Sequence, residues 1–366
     1  MKLELKTERL KTILDKAIKA SGRFVMFPKT TIVGLYYKDN TLEFTTTDRV
    51  NTLIIREKGI TNLSDDTTST YWAVSSDLLS KLVSKTTTEF VTLENNGADL
   101  IFKGNGKYTL PIILDSDATP LKIETSSLEE INFVANKTVP TENLKKILTY
   151  NKPSVAKTSD VSYLMGYHAG NDAITTFNTV TACVNYQSIT DGKELLLPSS
   201  FVDLFSILDE EETTLSTQGN IIKLVSGNIT LYSTLLENIE KFPSTALKNI
   251  TKEDFPAKCV VDKRDLFKIL DRINLFIKPT DDNSIRLSFG DKLCITSKDG
   301  AGEENLEFQS SENNIKFEEC VDIQDLRSQL QVNPFNLVTL LYGNERGLMI
   351  HTDNIYQLIP FMVSEE

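Results

Sequence analysis

Three stretches of the chain repeat one hydrophobic stripe. They are Glu8-Arg9-Leu10-Lys11-Thr12-Ile13-Leu14, Glu142-Asn143-Leu144-Lys145-Lys146-Ile147-Leu148 and Arg264-Asp265-Leu266-Phe267-Lys268-Ile269-Leu270. Each sets Leu, Ile and Leu at i, i+3 and i+4, one face of a helix, with charge, mostly Lys and Arg, on the other face. The first leucines of the copies lie 134 and 122 residues apart. That period is too long for a solenoid and suits a whole small domain.

Alternating runs follow each stripe. After the first come predicted strands at 32–37 and 41–46 around a Lys38-Asp39-Asn40 turn, then 51–55, a polar loop at 62–69 and a strand at 71–74. Ser75-Ser76-Asp77 reads as an N-cap before a helix at 78–83, and strands follow at 90–93, 99–103 and 107–113. The second unit predicts strands at 161–168, 173–176 and 182–188, a helix carrying Phe201, Leu204, Phe205 and Leu208, then strands at 213–217, 221–225 and 229–235. The third predicts strands at 285–289, 292–297 and 306–310, a helix with Leu326 and Leu330, and strands at 337–342, 348–352 and 355–361. The second helices also keep step, Leu78, Leu204 and Leu326 being 126 and 122 residues apart. Two helices against antiparallel strands, three times over, is an α+β layer architecture. The expected domains are 1–126, 127–252 and 253–366, with boundaries in the polar stretches 115–130 and 240–256.

Composition narrows the class. The 366 residues can form two or three cores, and the apolar and charged fractions are those of an ordinary globular protein. No apolar run is long enough to span a bilayer, and residues 1–6 alternate like a strand rather than a signal peptide, so a cytoplasmic protein without membrane contact is expected. Cys183, Cys259, Cys294 and Cys320 form no CxxC pair and sit in or beside apolar runs, which predicts buried, reduced thiols. His168 and His351, far apart in sequence, offer no metal-ligand cluster, so neither metal nor cofactor is expected.

Net charge is −12, which by itself argues against a nucleic-acid partner. Its distribution argues the other way. Residues 6–19 carry five cations and two anions, 142–157 four and one, and 262–278 five and three, so the remainder of the chain stands at −20. Catalytic patterns are missing: Gly104-Asn105-Gly106 reads as a hairpin turn rather than a phosphate loop, Ser199-Ser200 has no histidine partner in any motif, and the acidic pairs fall in loops. The expectation is not an enzyme.

Repeated α+β units with basic first helices and an acidic remainder are similar to the bacterial-type sliding clamp family, the beta subunit and processivity factor of DNA polymerase III. The resemblance spans the whole length. It is carried by Phe201-Val202-Asp203-Leu204-Phe205-Ser206-Ile207-Leu208, by Lys241-Phe242-Pro243 where the family has Arg-Phe-Pro, and by Ile355-Tyr356-Gln357-Leu358-Ile359-Pro360-Phe361-Met362.

The resemblance implies a homodimeric ring around duplex DNA that tethers a replicative polymerase for processive DNA replication. Basic faces then meet phosphates without reading sequence, and topology supplies retention. The implied DNA contacts are Lys11, Lys16, Lys19, Arg23, Lys81, Lys145, Lys146, Lys152, Tyr163, Lys268 and Arg272. The second helix of the middle unit departs, since Asp203 and Asp209 make it acidic.

The family's groove for a short peptide motif of the DNA polymerase and clamp loader maps to Leu164, Thr176, Asn178, Thr179, Val180, Thr181, Pro243, Leu247, Leu358, Ile359, Pro360, Phe361 and Met362. There the usual Thr-Asp-Gly-His-Arg-Leu-Ala reads Thr176-Phe177-Asn178-Thr179-Val180-Thr181-Ala182, without the Gly, His and Arg. That points to a divergent clamp, phage- or plasmid-encoded, with a shifted peptide preference. The implied dimer contact sets Lys103, Lys107 and Tyr108 against Phe276, Ile277, Glu303, Glu304 and Glu307. A clamp-like protein-binding scaffold that does not encircle DNA is the alternative, and an enzyme with an acidic site in a cleft is a third reading.

Overall fold

A computed structural model describes residues 1–22, 26–64, 68–278 and 283–362, with 134–136 described in backbone only. The chain forms two compact units, one of residues 1–142 and 200–235, the other of 143–199 and 236–366. Sheets define these units, because hydrogen-bonded ladders join strands from neighbouring repeats.

The first unit holds a five-stranded and an eight-stranded antiparallel sheet. Lys2–Lys6, the alternating N-terminal run, pairs with Phe90–Asn95 so that Leu3 meets Leu93. In the larger sheet Ile229–Thr234, a strand of the second repeat, pairs with Asn51–Lys58 of the first, setting Leu231 opposite Leu53. The helices Thr7–Ala17 and Ser76–Ser84 pack on each other and bury Leu10, Ile13, Leu14, Leu79 and Val83. Ser75 caps the second of these, its hydroxyl accepting from Leu78 N at 3.3 Å. Trp72, the sole tryptophan, is buried.

The second unit holds a nine-stranded and a four-stranded antiparallel sheet. Ala182–Asn185 pairs with Ile355–Ile359, again joining two repeats. The main core gathers Leu266, Ile269, Leu270 and Ile273 from the helix Lys263–Ile273 with Leu326 and Leu330 from Ile323–Val332. Phe289 and Tyr342 stack at 3.9 Å in its centre. Asp262 and Asp322 cap these helices, each carboxylate accepting two backbone N–H groups. A smaller core gathers Ala173, Ala182, Val184, Leu196, Phe242 and Leu247.

Several expected elements differ in form. The expected strand 161–168 is a 3-10 turn, Ser162–Met165, followed by a strand of only Gly166–Ala169. The middle unit's second helix is α-helical over Ser199–Asp203 and tightens to 3-10 over Leu204–Ile207; Phe201, Leu204, Phe205 and Leu208 are nevertheless all buried. The expected strand 306–310 divides into Glu303–Leu306 and Ser310–Glu312, which join different sheets. The last strand stops at Ile359, where Pro360 has no N–H to continue the ladder. Two strands not anticipated, Val134–Pro140 and Ala257–Asp262, lead straight into the basic helices, as Lys2–Lys6 does. A helix, Ser244–Ile250, occupies part of the expected boundary 240–256. Cys183 and Cys259 are buried, but Cys294 and Cys320 are only half-buried; all four are free thiols.

Candidate nucleic-acid interface and partner groove

The stripe that buries Leu10, Ile13 and Leu14 leaves Lys11 exposed and Lys16 half-buried, with Lys19 exposed on the following 3-10 turn Ile18–Ala20. Lys16 is held by Asp209, and Lys19 Nζ donates to Ser206 Oγ at 3.4 Å. The acidic second helix of the middle repeat and the residues just after it thus answer the basic first helix of the first repeat. The same internal neutralisation recurs: Lys81 pairs with Asp77 at 2.7 Å, Lys268 with Asp265 at 2.9 Å, and Arg272 grips Glu304 through Nε at 2.7 Å and Nη2 at 2.5 Å. That fork holds the Glu304 carboxyl below its ordinary range and raises the guanidinium, hydrogen bonding being the larger cause in both. Water screens exposed pairs of this kind, which therefore add little to folding stability, so a phosphate can replace the carboxylate at small cost.

In the middle repeat the helix Thr141–Asn151 presents Lys145 exposed and Lys146 half-buried, and Lys152 opens the 3-10 turn Lys152–Ser154. Tyr163 is half-buried, its ring edge-on to Phe242 at 6.2 Å. Arg23 lies outside the described residues. Elsewhere in the first unit a cleft of about 480 Å³ lined by Arg9, Arg56 and Lys58 looks anion-ready. However, Glu57 engages Arg9, and Glu43 and Glu129 engage Arg56.

The expected groove residues divide by exposure. Leu164, Thr176, Thr181, Leu247 and Ile359 are buried; Asn178, Pro243, Leu358, Pro360, Phe361 and Met362 are half-buried; Thr179 and Val180 are exposed. The loop after Ile174–Phe177 turns tightly: Asn178 Oδ1 accepts from Val180 N at 3.0 Å and Thr181 N at 2.7 Å, and Thr179 takes a φ of +77°. The side chain of Asn178 therefore closes this turn. Leu247 and Leu358 belong to the smaller core, whereas Ile359 and Phe361 pack into the larger one, as the alternation of the strand Ile355–Ile359 requires.

Of the expected dimer contacts, Tyr108 and Lys107 are exposed on Lys107–Pro111, the outer strand of the five-stranded sheet. Glu303 and Glu304 lie on Glu303–Leu306, the outer strand of the four-stranded sheet, with Glu307 exposed just beyond. Both strands have one side without a ladder partner among the described residues. Lys103 is half-buried and engaged within its own sheet, its Nζ 2.5 Å from Glu94 Oε2. Phe276 is exposed and Ile277 half-buried against the larger core; Gly302 stands beside Phe276, where a Cβ would come within 2.9 Å of the ring. Sequence reasoning missed the carboxylate partners Asp77, Asp265 and Glu304 as neutralisers of the basic faces, although Asp77 and Asp265 stand four and three residues from their lysines.

By sequence, no family model and no curated protein matches the chain. By structure, the chain matches sliding clamps end to end. The DNA polymerase sliding clamp of Bacillus subtilis superposes with a TM-score of 0.83 at 17% identity, covering 100% of this chain and 99% of that one. DNA polymerase III subunit beta of Borrelia burgdorferi, solved with a natural product, gives 0.85 at 13% identity, covering 100% and 98%. The Pseudomonas aeruginosa sliding clamp bound to griselimycin gives 0.84 at 16% identity, covering 100% of both. The chain has the fold of the DNA polymerase III beta sliding clamp over its full length. No described helix is long and apolar enough to cross a membrane.

Proposed function

We propose that the chain is a DNA sliding clamp, a non-enzymatic cytoplasmic processivity factor of three clamp domains (1–126, 127–252 and 253–366). Two copies close head to tail around duplex DNA and tether a polymerase and its loader through short peptides. The observation that carries this is the end-to-end likeness to sliding clamps in a chain whose acidic total is interrupted by basic faces on the first helix of each repeat. Lys11, Lys19, Lys145, Lys146, Lys152, Lys268 and Arg272 contact phosphates, with no base specificity, and Lys16 joins them where Asp209 gives it up. The groove from Leu164 to Met362 takes extended peptides with Leu and Phe anchors.

The edge strands Lys107–Pro111 and Glu303–Leu306 make the subunit contact, each adding to the other's sheet, a heterologous contact repeated twice to close the ring. Within it Lys107 faces Glu303 and Glu307, while Tyr108 and Phe276 supply apolar area. Light scattering across a dilution series at moderate salt tests the ring. A mass twice the 41.1 kDa chain that persists on dilution is expected, and a monomer at every concentration refutes this closure. Lys103→Glu with Lys107→Glu together yields monomers on this reading, and an unchanged mass refutes the interface.

A further inference from the structure

Asp209 holds Lys16, Asp77 holds Lys81, Asp265 holds Lys268 and Glu304 holds Arg272. Arg49 stands differently. It is exposed, and among the described residues no carboxylate engages it; its guanidinium lies instead over the ring of Phe27, 4.0 Å from the centroid. A ring covers only the face of a guanidinium, so the N–H edge stays free to donate and the charge is not neutralised.

Both members of the pair are fixed by the backbone beneath them. Arg49 is in the turn between the strands Thr41–Thr47 and Asn51–Lys58. The neighbouring carboxylate, that of Asp48, is committed to this turn: Oδ1 accepts from Val50 N at 2.9 Å and Asn51 N at 2.6 Å, and Oδ2 accepts from Asn51 Nδ2 at 2.8 Å. Thr47 Oγ1 donates to Asn51 O at 2.7 Å and accepts from Arg49 N at 3.1 Å. Arg49 takes a φ of +83° there, which glycine adopts freely and an L side chain adopts at a cost. Strain of this kind persists where surrounding contacts over-determine the backbone, and it clusters at functional sites. Phe27 is pinned as well. Its carbonyl accepts from Thr30 N and Thr30 Oγ1, both at 2.8 Å, and Ser21 Oγ donates to Thr30 O at 2.8 Å.

The pair stands at the C-terminal end of the first basic helix. Thr46 Oγ1 donates to Ala17 O at 2.9 Å and Gly22 N donates to Thr47 O at 3.4 Å, with Lys19 in the 3-10 turn between Ala17 and Gly22. We propose that Arg49 is a further phosphate contact for duplex, prepositioned by Phe27 where the first basic helix ends. The inference rests on the clamp reading. Because the stack holds the guanidinium without neutralising it, a phosphate displaces no carboxylate and orders no loose side chain when it binds.

The test is fluorescence anisotropy of a labelled 25-base-pair duplex on the full chain between 50 and 200 mM salt, with melting temperatures measured alongside. In Arg49→Ala the slope of log K against log salt becomes shallower by about 0.9, and affinity falls about tenfold at 50 mM and about threefold at 200 mM. Arg49→Lys keeps the slope. Phe27→Leu leaves the charge but frees it, so affinity falls about twofold to fivefold with the slope unchanged, and Phe27→Tyr restores it. Lys38→Ala removes an exposed charge just before the opposite end of the strand Thr41–Thr47 and leaves the slope as it is. An unchanged slope in Arg49→Ala overturns the proposal, and so does an equal change in Lys38→Ala, which reports net charge alone. A lower melting temperature in Phe27→Leu with affinity intact makes the ring merely structural and overturns its positioning of Arg49. A wild-type chain that does not bind duplex at 50 mM salt overturns the clamp reading and the contact with it.

Discussion

Asp209→Asn is the substitution that most directly tests internal neutralisation of the basic face. Asp209 holds Lys16, whose side chain is 18% exposed while that of Asp209 is 64% exposed. Asp209 is well exposed although Lys16 is mostly covered, so losing the pair costs about 1 kcal/mol of folding stability and the variant still folds. On duplex it gains in two ways: a negative charge leaves the surface and a lysine becomes available to phosphate. The first raises affinity about twofold to fivefold at 50 mM salt, equivalent to about 0.4–1 kcal/mol for one partly exposed charge interaction. The second adds about 0.9 to the slope of log K against log salt, so affinity falls by about 3.5-fold more than in the wild type between 50 and 200 mM salt. Fluorescence anisotropy with a labelled duplex at 50, 100 and 200 mM salt reads both. Lys16→Ala on the Asp209→Asn background must abolish the extra slope. An unchanged slope, or weaker binding by Asp209→Asn at low salt, refutes the role given to this pair.

Leu266→Ala removes a buried core side chain of the second unit, with an expected loss of about 2–5 kcal/mol in denaturant unfolding; a loss below about 1 kcal/mol contradicts the packing described. His168 is buried, stacked on Phe242 at 5.1 Å, and its pKa is lowered chiefly by burial, opposed by nearby Glu194 and reinforced by Lys248. The unfolded chain therefore binds the proton more readily, and the contribution of this site is full above the ordinary histidine value and lost as pH falls through the folded one. His168→Phe flattens the acid limb of a melting-temperature profile, and an unaltered limb counts against this assignment. Burial pushes the Cys259 thiol up to about 12 and raises that of Cys183 as well. Iodoacetamide at pH 8 consequently modifies the half-buried Cys294 and Cys320 first, and equal rates at all four refute the burial pattern.

Much of the architecture was legible because hydrophobic periodicity is local. The helices Thr7–Ala17 and Lys263–Ile273 bury the leucine–isoleucine stripes that defined them in the sequence, and Ser75 caps where its spacing said it would. The buried pairing of Gln357 with Gln329 was readable in principle. Gln357 lies in phase with buried Ile355 and Ile359, and Gln329 in phase with Leu326 and Leu330, so both point inward where an apolar side chain is the rule. A polar residue at an inward position announces that it has a partner but not which one. The 3-10 turn Ser162–Met165 was read as strand because short apolar runs carry no distinctive period.

By itself, the sequence determined an α+β pattern of amphipathic helices and alternating strands, the faces that the helices Thr7–Ala17 and Lys263–Ile273 bury, and the segregation of cations into three short windows of an acidic chain. Only the tertiary structure decided that sheets run across repeat boundaries, as where Ile229–Thr234 adds to Asn51–Lys58. It alone also set Asp209 on Lys16, across a sequence gap of 193 residues, and joined the hydroxyl of Ser154 to Thr181 and Gln329 by hydrogen bonds. The physical reason is one of range: periodicity, caps and turns are fixed by residues a few positions apart. Strand pairing, ion pairs and buried hydrogen bonds depend on which distant segments the core brings together.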